Sequence, residues 1–305
     1  MIAALRRLFA GKAAAHPPSA AATDPPAASA PVANLFRHYS SLCEAAGVDK
    51  VYLVLTFDCD TDQDIAAARD LDVDLRRRGI RAGYAVPGVQ LERGASTWRE
   101  IRQGGAEFLN HGSQAHAEYR DDRYWPVTFY NEMSESAVLA DVRRGHQTLL
   151  DVFESGPEGF RAPHFGSFQA PEQLELLYDC LRPLEYRYCS TTIPALGLSR
   201  GPVVDMRGLA ELPTTGSYRY PTTLLDSWTY LTDRCDYQLS EEYFELFEET
   251  IRLLTEERLP AILTYYADPA HVLGQKPFER ALDAIGAFGV PSLQGREVIQ
   301  RFRPR

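Results

Sequence analysis

The first long apolar stretch, "VYLVLTF" at 51–57, is continuous rather than alternating, and its β-branched and aromatic residues mark a strand covered on both faces. Thr61, with Asp64 three residues on, reads as a helix cap, and "IAAARDLDVDLRRRG" carries a helical pattern that stops at Gly79. The alternation then repeats. "IRAGYAV" leads to a helix near 96–103, and the strand "AEFLNH" ends in polar residues. A helix over about 134–153 follows, apolar at Val138, Val142, Leu149 and Phe153. "GFRAPHFG" precedes a helix near 171–181, and "EYRYCSTT" precedes a segment, 202–238, too rich in Thr, Tyr, Pro and Gly for a helix. Excursions of that kind usually shape a cleft. A helix over 241–256, apolar at Phe244, Phe247, Ile251 and Leu254, comes before the last strand, "PAILTYYA". Strands alternating with helices predict an α/β fold, a parallel (β/α) barrel, with an open doubly wound sheet as the alternative.

The two ends of the chain differ in kind. Residues 13–32 are mostly Ala, Pro and Ser, which cannot bury enough apolar surface to offset chain entropy. Residues 1–34 are therefore expected to be a disordered tail and 35–305 a single catalytic domain. The opening "MIAALRRLFAGK" is too short and too interrupted by Arg6 and Arg7 for a secretory or spanning segment, although one or two amphipathic turns could touch a membrane surface. No later stretch has the roughly 18 apolar residues of a spanning helix, so no integral membrane segment is expected.

Composition narrows the function classes. A 305-residue chain that is 45% apolar can fill a sizeable core. Its 32 basic and 42 acidic residues leave a net charge of -10, which argues against a nucleic-acid partner. Five widely spaced cysteines with no C-x-x-C pair indicate neither a disulfide scaffold nor a cysteine zinc knuckle, and favour a reducing compartment. Cytoplasmic location is the expectation, with peripheral membrane association through the N-terminus as the alternative.

In parallel β/α folds the functional groups gather at the C-terminal ends of the strands. Those positions hold Asp58, Asp60 and Asp62; Asn110, His111 and His116; Arg161, Pro163 and His164; and Tyr266, Asp268 and His271. An Asp-x-Asp alone is a turn or cap signal, and two nearby histidines alone are surface or hydrogen-bonded residues. Together at successive strand ends, they form a plausible site for zinc or another divalent ion with a position open for water. His16, His38 and His146, in the tail, before the first strand and on a helix, are not candidates.

These motifs, in this order, resemble the polysaccharide deacetylases with a NodB-homology domain, carbohydrate esterase family four, over roughly residues 49–295. "TFDCD" is similar to the first motif in its Asp-x-Asp variant, which implies Asp58 as catalytic base and Asp60 as metal ligand. "NHGSQAH" resembles the second motif, which implies His111 and His116 as ligands. They stand five apart rather than four, roughly 140° around an ideal helix, so both reach one ion only through a loop or bulge. "FRAPHFG" resembles the third motif, giving Arg161 the task of steadying the base, with Pro163 and His164 in the substrate pocket. "LLDSW" is similar to the fourth, which implies that Trp228 lines the acyl pocket and Asp226 tunes the acid histidine. "ILTYYADPAH" stands in place of the fifth, with Tyr266 in the pocket and His271 as general acid.

The resemblance thus implies a distorted (β/α) barrel that uses a divalent metal, expected to be zinc, to hydrolyse an acyl group from an amino sugar or glycan. Three rivals stand beside it: an allantoinase-like amide hydrolase acting on a small molecule, a non-catalytic glycan-binding homologue, and a glycoside hydrolase.

Overall fold

The computed structural model describes residues 30–231 and 238–302. Residues 1–29, including His16, and Cys235 lie outside the described residues.

Helix α1 (Ala30–Ala45) begins inside the stretch expected to be tail. Its buried residues Phe36, Tyr39 and Cys43 recur at helical spacing, and the Tyr39 hydroxyl donates to the carbonyl of Ile262 at 2.7 Å. That bond pins the helix to the barrel.

The chain then alternates as expected: β1 (Val51–Asp58), α2 (Asp62–Arg77), β2 (Gly83–Val86), α3 (Gly88–Arg93), α4 (Ala95–Gln103) and β3 (Glu107–Asn110). A hairpin of β4 (Ala117–Arg120) and β5 (Arg123–Pro126) intervenes before α5 (Glu135–Phe153), β6 (Gly159–Arg161), α6 (Pro171–Leu181) and β7 (Tyr188–Ser190). After α7 (Pro194–Arg200) the segment expected to lack a helix opens with a second hairpin, β8 (Val204–Met206) and β9 (Leu209–Glu211). Helix α8 (Glu241–Glu256), β10 (Ala261–Ala267), α9 (Pro269–Val272), α10 (Lys276–Ala287) and α11 (Gly295–Phe302) complete it.

The main sheet runs β10-β1-β2-β3-β6-β7-β9-β8, parallel except for the antiparallel edge β8. All eight residues of β1 are buried, between β10 (Val51 opposite Ala261, Phe57 opposite Ala267) and β2 (Thr56 opposite Gly83). Past β9 the chain bridges the remaining gap. Thr214 N donates to Thr192 O at 3.2 Å and Thr215 N to Thr264 O at 3.0 Å, joining the β7 side to β10 without a full ladder. The result is a distorted (β/α) barrel.

Its core is aromatic. Tyr84 stacks between Phe57 and Phe108, with ring centroids 5.5 and 5.8 Å away. Among the described residues four cysteines, Cys43, Cys59, Cys180 and Cys189, are buried free thiols. No helix among them is long and apolar enough to cross a membrane.

Candidate functional site

The period-two alternation of β1 puts Thr56 and Asp58 on one face, toward the barrel interior. Arg161, the last residue of β6, meets both: Nη1 donates to Asp58 Oδ1 at 2.9 Å, and Nη2 to Thr56 Oγ1 at 2.9 Å. Its guanidinium also lies 4.9 Å from the Phe165 ring centre and 5.4 Å from that of Tyr266. Arg161 is fully buried, so its charge needs this company. Burial pushes the Asp58 carboxyl up to about 7, against the pull of Arg161 and with the push of Asp268 and Asp226.

Beyond β1 the chain turns into α2 through the capping box foreseen from the sequence. Thr61 Oγ1 accepts from Asp64 N at 3.4 Å, and Asp64 Oδ2 accepts from Thr61 N at 2.9 Å. The turn leaves Asp60 nearly buried, its backbone oxygen held by Gln90 Nε2 at 3.0 Å and its Oδ1 with no hydrogen-bond partner. His111, just past β3, donates from Nδ1 to the carbonyl of Arg161 at 2.8 Å, so its Nε2 carries the lone pair. That nitrogen lies 3.5 Å from Asp60 Oδ1 and 4.0 Å from Asp58 Oδ2. Burial and the nearby His116 keep the His111 ring neutral, far below its ordinary range.

An orphaned carboxylate oxygen facing a neutral imidazole nitrogen suits a divalent ion, which would also offset the push of Asp268, Asp58 and Asp64 on the Asp60 carboxyl. His116 lies beside them, its ring 4.9 Å from that of His111 and its buried Nδ1 without a hydrogen-bond partner. Its Nε2 meets the carbonyl of His111 at 2.5 Å, which makes that nitrogen a donor. Among the described residues no group of three or more His, Cys, Asp or Glu side chains is arranged to hold a metal. His164 likewise turns its Nε2 away, donating to Val127 O at 2.8 Å while its ring stacks 4.2 Å from Phe129.

The last strand supplies the other half of the site. His271, on the short α9, has Nδ1 3.2 Å from Asp268 Oδ2 and 3.2 Å from Ser227 Oγ; Ser227 donates to the same Asp268 oxygen at 3.0 Å. Burial disfavours the imidazolium, but Asp268, with Asp64 and Asp226 further off, outweighs it and raises the His271 pKa. Asp226, expected to tune this histidine, accepts from Thr229 N at 2.9 Å and Thr229 Oγ1 at 2.8 Å, and its charge raises the His271 pKa. Trp228 lies edge-on to His271 at 5.2 Å.

These groups open on a cleft of about 440 Å³, lined by Asp58, Asp60, His111 and Asp268 and walled by Trp228 and Tyr266. Asp226 and His164 also face it, whereas Pro163 is buried behind them. Sequence reasoning put Asp268 at a strand end without giving it a task, and it missed Ser227 and Gln90. A serine next to an aspartate carries no periodic signal, and Gln90 acts through a backbone contact invisible in sequence.

No family model and no curated protein matches this sequence. Solved structures do match it in fold. A protein described as a polysaccharide deacetylase from Mycobacterium smegmatis superposes with a TM-score of 0.59 at 16% identity, covering 84% of this chain and 91% of that one. Another so described, from Pseudomonas aeruginosa PAO1, gives 0.60 at 12% identity, covering 83% and 91%. The Puue allantoinase gives 0.60 at 10% identity, covering 82% and 89%. At such identities the likeness is one of fold: the distorted (β/α) barrel of NodB-type deacetylases and their amidohydrolase relatives, with no single branch distinguished.

Proposed function

We propose that this chain is a hydrolase that removes an acyl group from nitrogen, an N-acetyl group on an amino sugar or glycan. The observation that carries the proposal is that the cleft is lined by two carboxylates, each in contact with a basic group: Asp58, held by Arg161, and Asp268, which backs the buried His271.

A divalent ion, with zinc the expected one, would be held by Asp60 and His111, with His116 as the third expected donor; when bound it supplies polarisation of the acyl carbonyl and acidification of water. The chain's own residues do the rest. Asp58, oriented by Arg161, takes the proton of the attacking water. His271, favoured as imidazolium by Asp268, gives its proton to the departing amine. The walls formed by Trp228 and Tyr266 receive the acyl methyl and keep bulk water out.

The test is mass-spectrometric detection of acetyl loss from N-acetylated amino-sugar oligomers by the zinc-supplemented protein, with Asp58→Asn as control. A second reading, hydrolysis of a small ureide or amide, draws support from the allantoinase, whose fold agrees as well as those of the deacetylases. Ring opening of a ureide with no acetyl loss would favour it. Turnover of neither substrate class would sink the hydrolase reading and leave glycan binding.

A further inference from the structure

An aspartate at the N-cap of a helix ordinarily turns its carboxylate onto the N–H groups of its own first turn. Asp268 is the N-cap residue of α9 and makes no such bond. The donors of that turn are already occupied. Pro269 has no N–H, and the N–H of His271 donates to the carbonyl of Asp268 at 3.0 Å. The N–H of Ala270 donates to Asp64 Oδ1 at 3.0 Å, across 206 residues of chain. Asp64 therefore serves two helices. Its Oδ2 accepts from Thr61 N at 2.9 Å at the start of α2, while its Oδ1 caps α9 from outside.

Ser227 holds Asp268 from the other side. The backbone N–H of Asp268 donates to Ser227 Oγ at 2.9 Å, and that hydroxyl donates back to Asp268 Oδ2 at 3.0 Å. With its proton committed to the carboxylate, the hydroxyl meets His271 Nδ1 at 3.2 Å as an acceptor. Nδ1 is also 3.2 Å from Asp268 Oδ2, so this nitrogen carries an N–H, and a proton given up by the imidazolium leaves from Nε2. Ser227 is itself placed by a turn over residues 226–229, closed by the bonds from Thr229 N and Oγ1 to Asp226. Asp64 and Ser227 are both buried, so water does not compete for these bonds.

We infer that Asp64 and Ser227 are positioning residues: Asp64 caps α9 in place of Asp268, Ser227 fixes the direction of the Asp268 carboxylate, and together they commit that carboxylate to His271 instead of to its own helix. A box residue of α2 and a serine from the 202–238 excursion thus set one ring nitrogen at the end of β10. The catalytic use of the Asp268–His271 pair rests on the hydrolase reading above; the placement of the pair does not.

The experiment pairs a spectroscopic reading of His271 with turnover. The Nδ1–H resonance of His271 is followed by NMR in the ¹⁵N-labelled full chain and assigned by its absence in His271→Gln. Turnover is measured on N-acetylated amino-sugar oligomers with zinc supplied. Hydrogen bonding to a carboxylate holds the wild-type resonance far downfield. In Asp64→Ala the Asp268 carboxylate turns onto the freed N–H of Ala270, in Ser227→Ala it loses its guide, and in both the resonance moves upfield or is lost. Thr61→Ala, which damages the α2 cap but leaves Asp64 Oδ1 on Ala270, keeps it. In both Asp64→Ala and Ser227→Ala kcat falls about tenfold with little change in KM, part of the 10²-fold or more that a placed general acid contributes. Either substitution added to Asp268→Asn lowers kcat no further, because each acts through Asp268.

An unmoved resonance in Asp64→Ala or in Ser227→Ala would overturn the role of that residue, and an equal shift in Thr61→Ala would overturn the role of Asp64. Losses of kcat that add to that of Asp268→Asn would show that the two residues do not act through it. Normal turnover by His271→Gln, or none by the wild-type chain, would refute the catalytic reading, while the resonance would still decide what holds the pair.

Discussion

Arg161 and Asp58, 103 residues apart in sequence, form an ion pair of 2.9 Å inside the barrel, with the arginine fully enclosed. Removing one partner of such a pair leaves a buried charge uncompensated, at a cost of about 3–5 kcal/mol. Arg161→Met should therefore lose about that much stability at pH 8, where Asp58 is ionised. At pH 5, below the Asp58 pKa of about 7, the protonated carboxyl needs no partner and the loss should be smaller. Urea unfolding at the two pH values checks this; equal losses would mean that the pair carries no charge.

Asp58→Asn keeps the size and one acceptor but cannot take a proton. Turnover of the acylated substrate should fall by at least about 10²-fold, the usual contribution of a general base. Zinc content should stay at the wild-type level. A variant with near-normal turnover would remove Asp58 from the mechanism.

The alkaline limit of the reaction should report His271, because a general acid fails once it has lost its proton. Asp268 holds the imidazolium against the effect of burial. In Asp268→Asn that support is gone, the His271 pKa falls, and the alkaline limb of kcat should move to lower pH. Turnover at pH 8 would then drop more than turnover at pH 6. A uniform drop at every pH would assign Asp268 a purely structural role.

Glu107 sits at the opposite end of the barrel, at the start of β3, where its Oε1 accepts from Arg296 N at 3.1 Å. Burial pushes its carboxyl from 4.5 up to about 7. Between those values the folded chain holds a proton that the unfolded chain has lost. The group's contribution is thus complete below pH 4.5 and is lost as pH rises through 7, on the order of 3 kcal/mol in all. Glu107→Gln should remove that part of the pH dependence, read as the difference in urea midpoint between pH 4.5 and 8; parallel wild-type and variant profiles would refute the assignment.

Gly145 on α5 lies where a Cβ would press on Asn110 Oδ1 and Gly112 O. Asn110 in turn holds Val142 O at 2.9 Å and receives Gly112 N at 3.0 Å, which sets the turn carrying His111. Gly145→Ala should cost about 1–3 kcal/mol through overpacking and lower zinc affinity by displacing His111. Thermal melting paired with zinc titration would show it, and a destabilised variant with unaltered zinc affinity would uncouple the helix from the site.

The parts legible in sequence are those governed by short-range periodicity. The unbroken run of β1, the Thr61–Asp64 box and the apolar stripe of α8 each carry a local physical signal, and each element lies where that signal places it. Helix α1 escaped notice because its buried positions are interleaved with Ser and His and follow an Ala/Pro-rich stretch. The hairpin β4–β5 lacks a clean alternation, since Glu118, Tyr119 and Arg120 are all exposed. At the cleft, strand ends told which residues converge, but not which atoms do. Whether a histidine offers a lone pair or an N–H is set by the carbonyl opposite its other nitrogen, and for His111 and His116 those carbonyls come from residues 161 and 111.

The pairing of β1 with β10 also bears on how the chain is made. On the ribosome β1 emerges early, yet one of its two edges finds its partner only when residues 261–267 have been synthesised. Until then "VYLVLTF" presents an open, apolar edge of the kind that templates association between chains, and closure waits on a distant contact. Asp64 is in the same position, since the backbone N–H of Ala270 that occupies its Oδ1 lies 206 residues downstream. Products of premature termination before Ala261 should thus be held by chaperones or aggregate, rather than persist as smaller folded proteins.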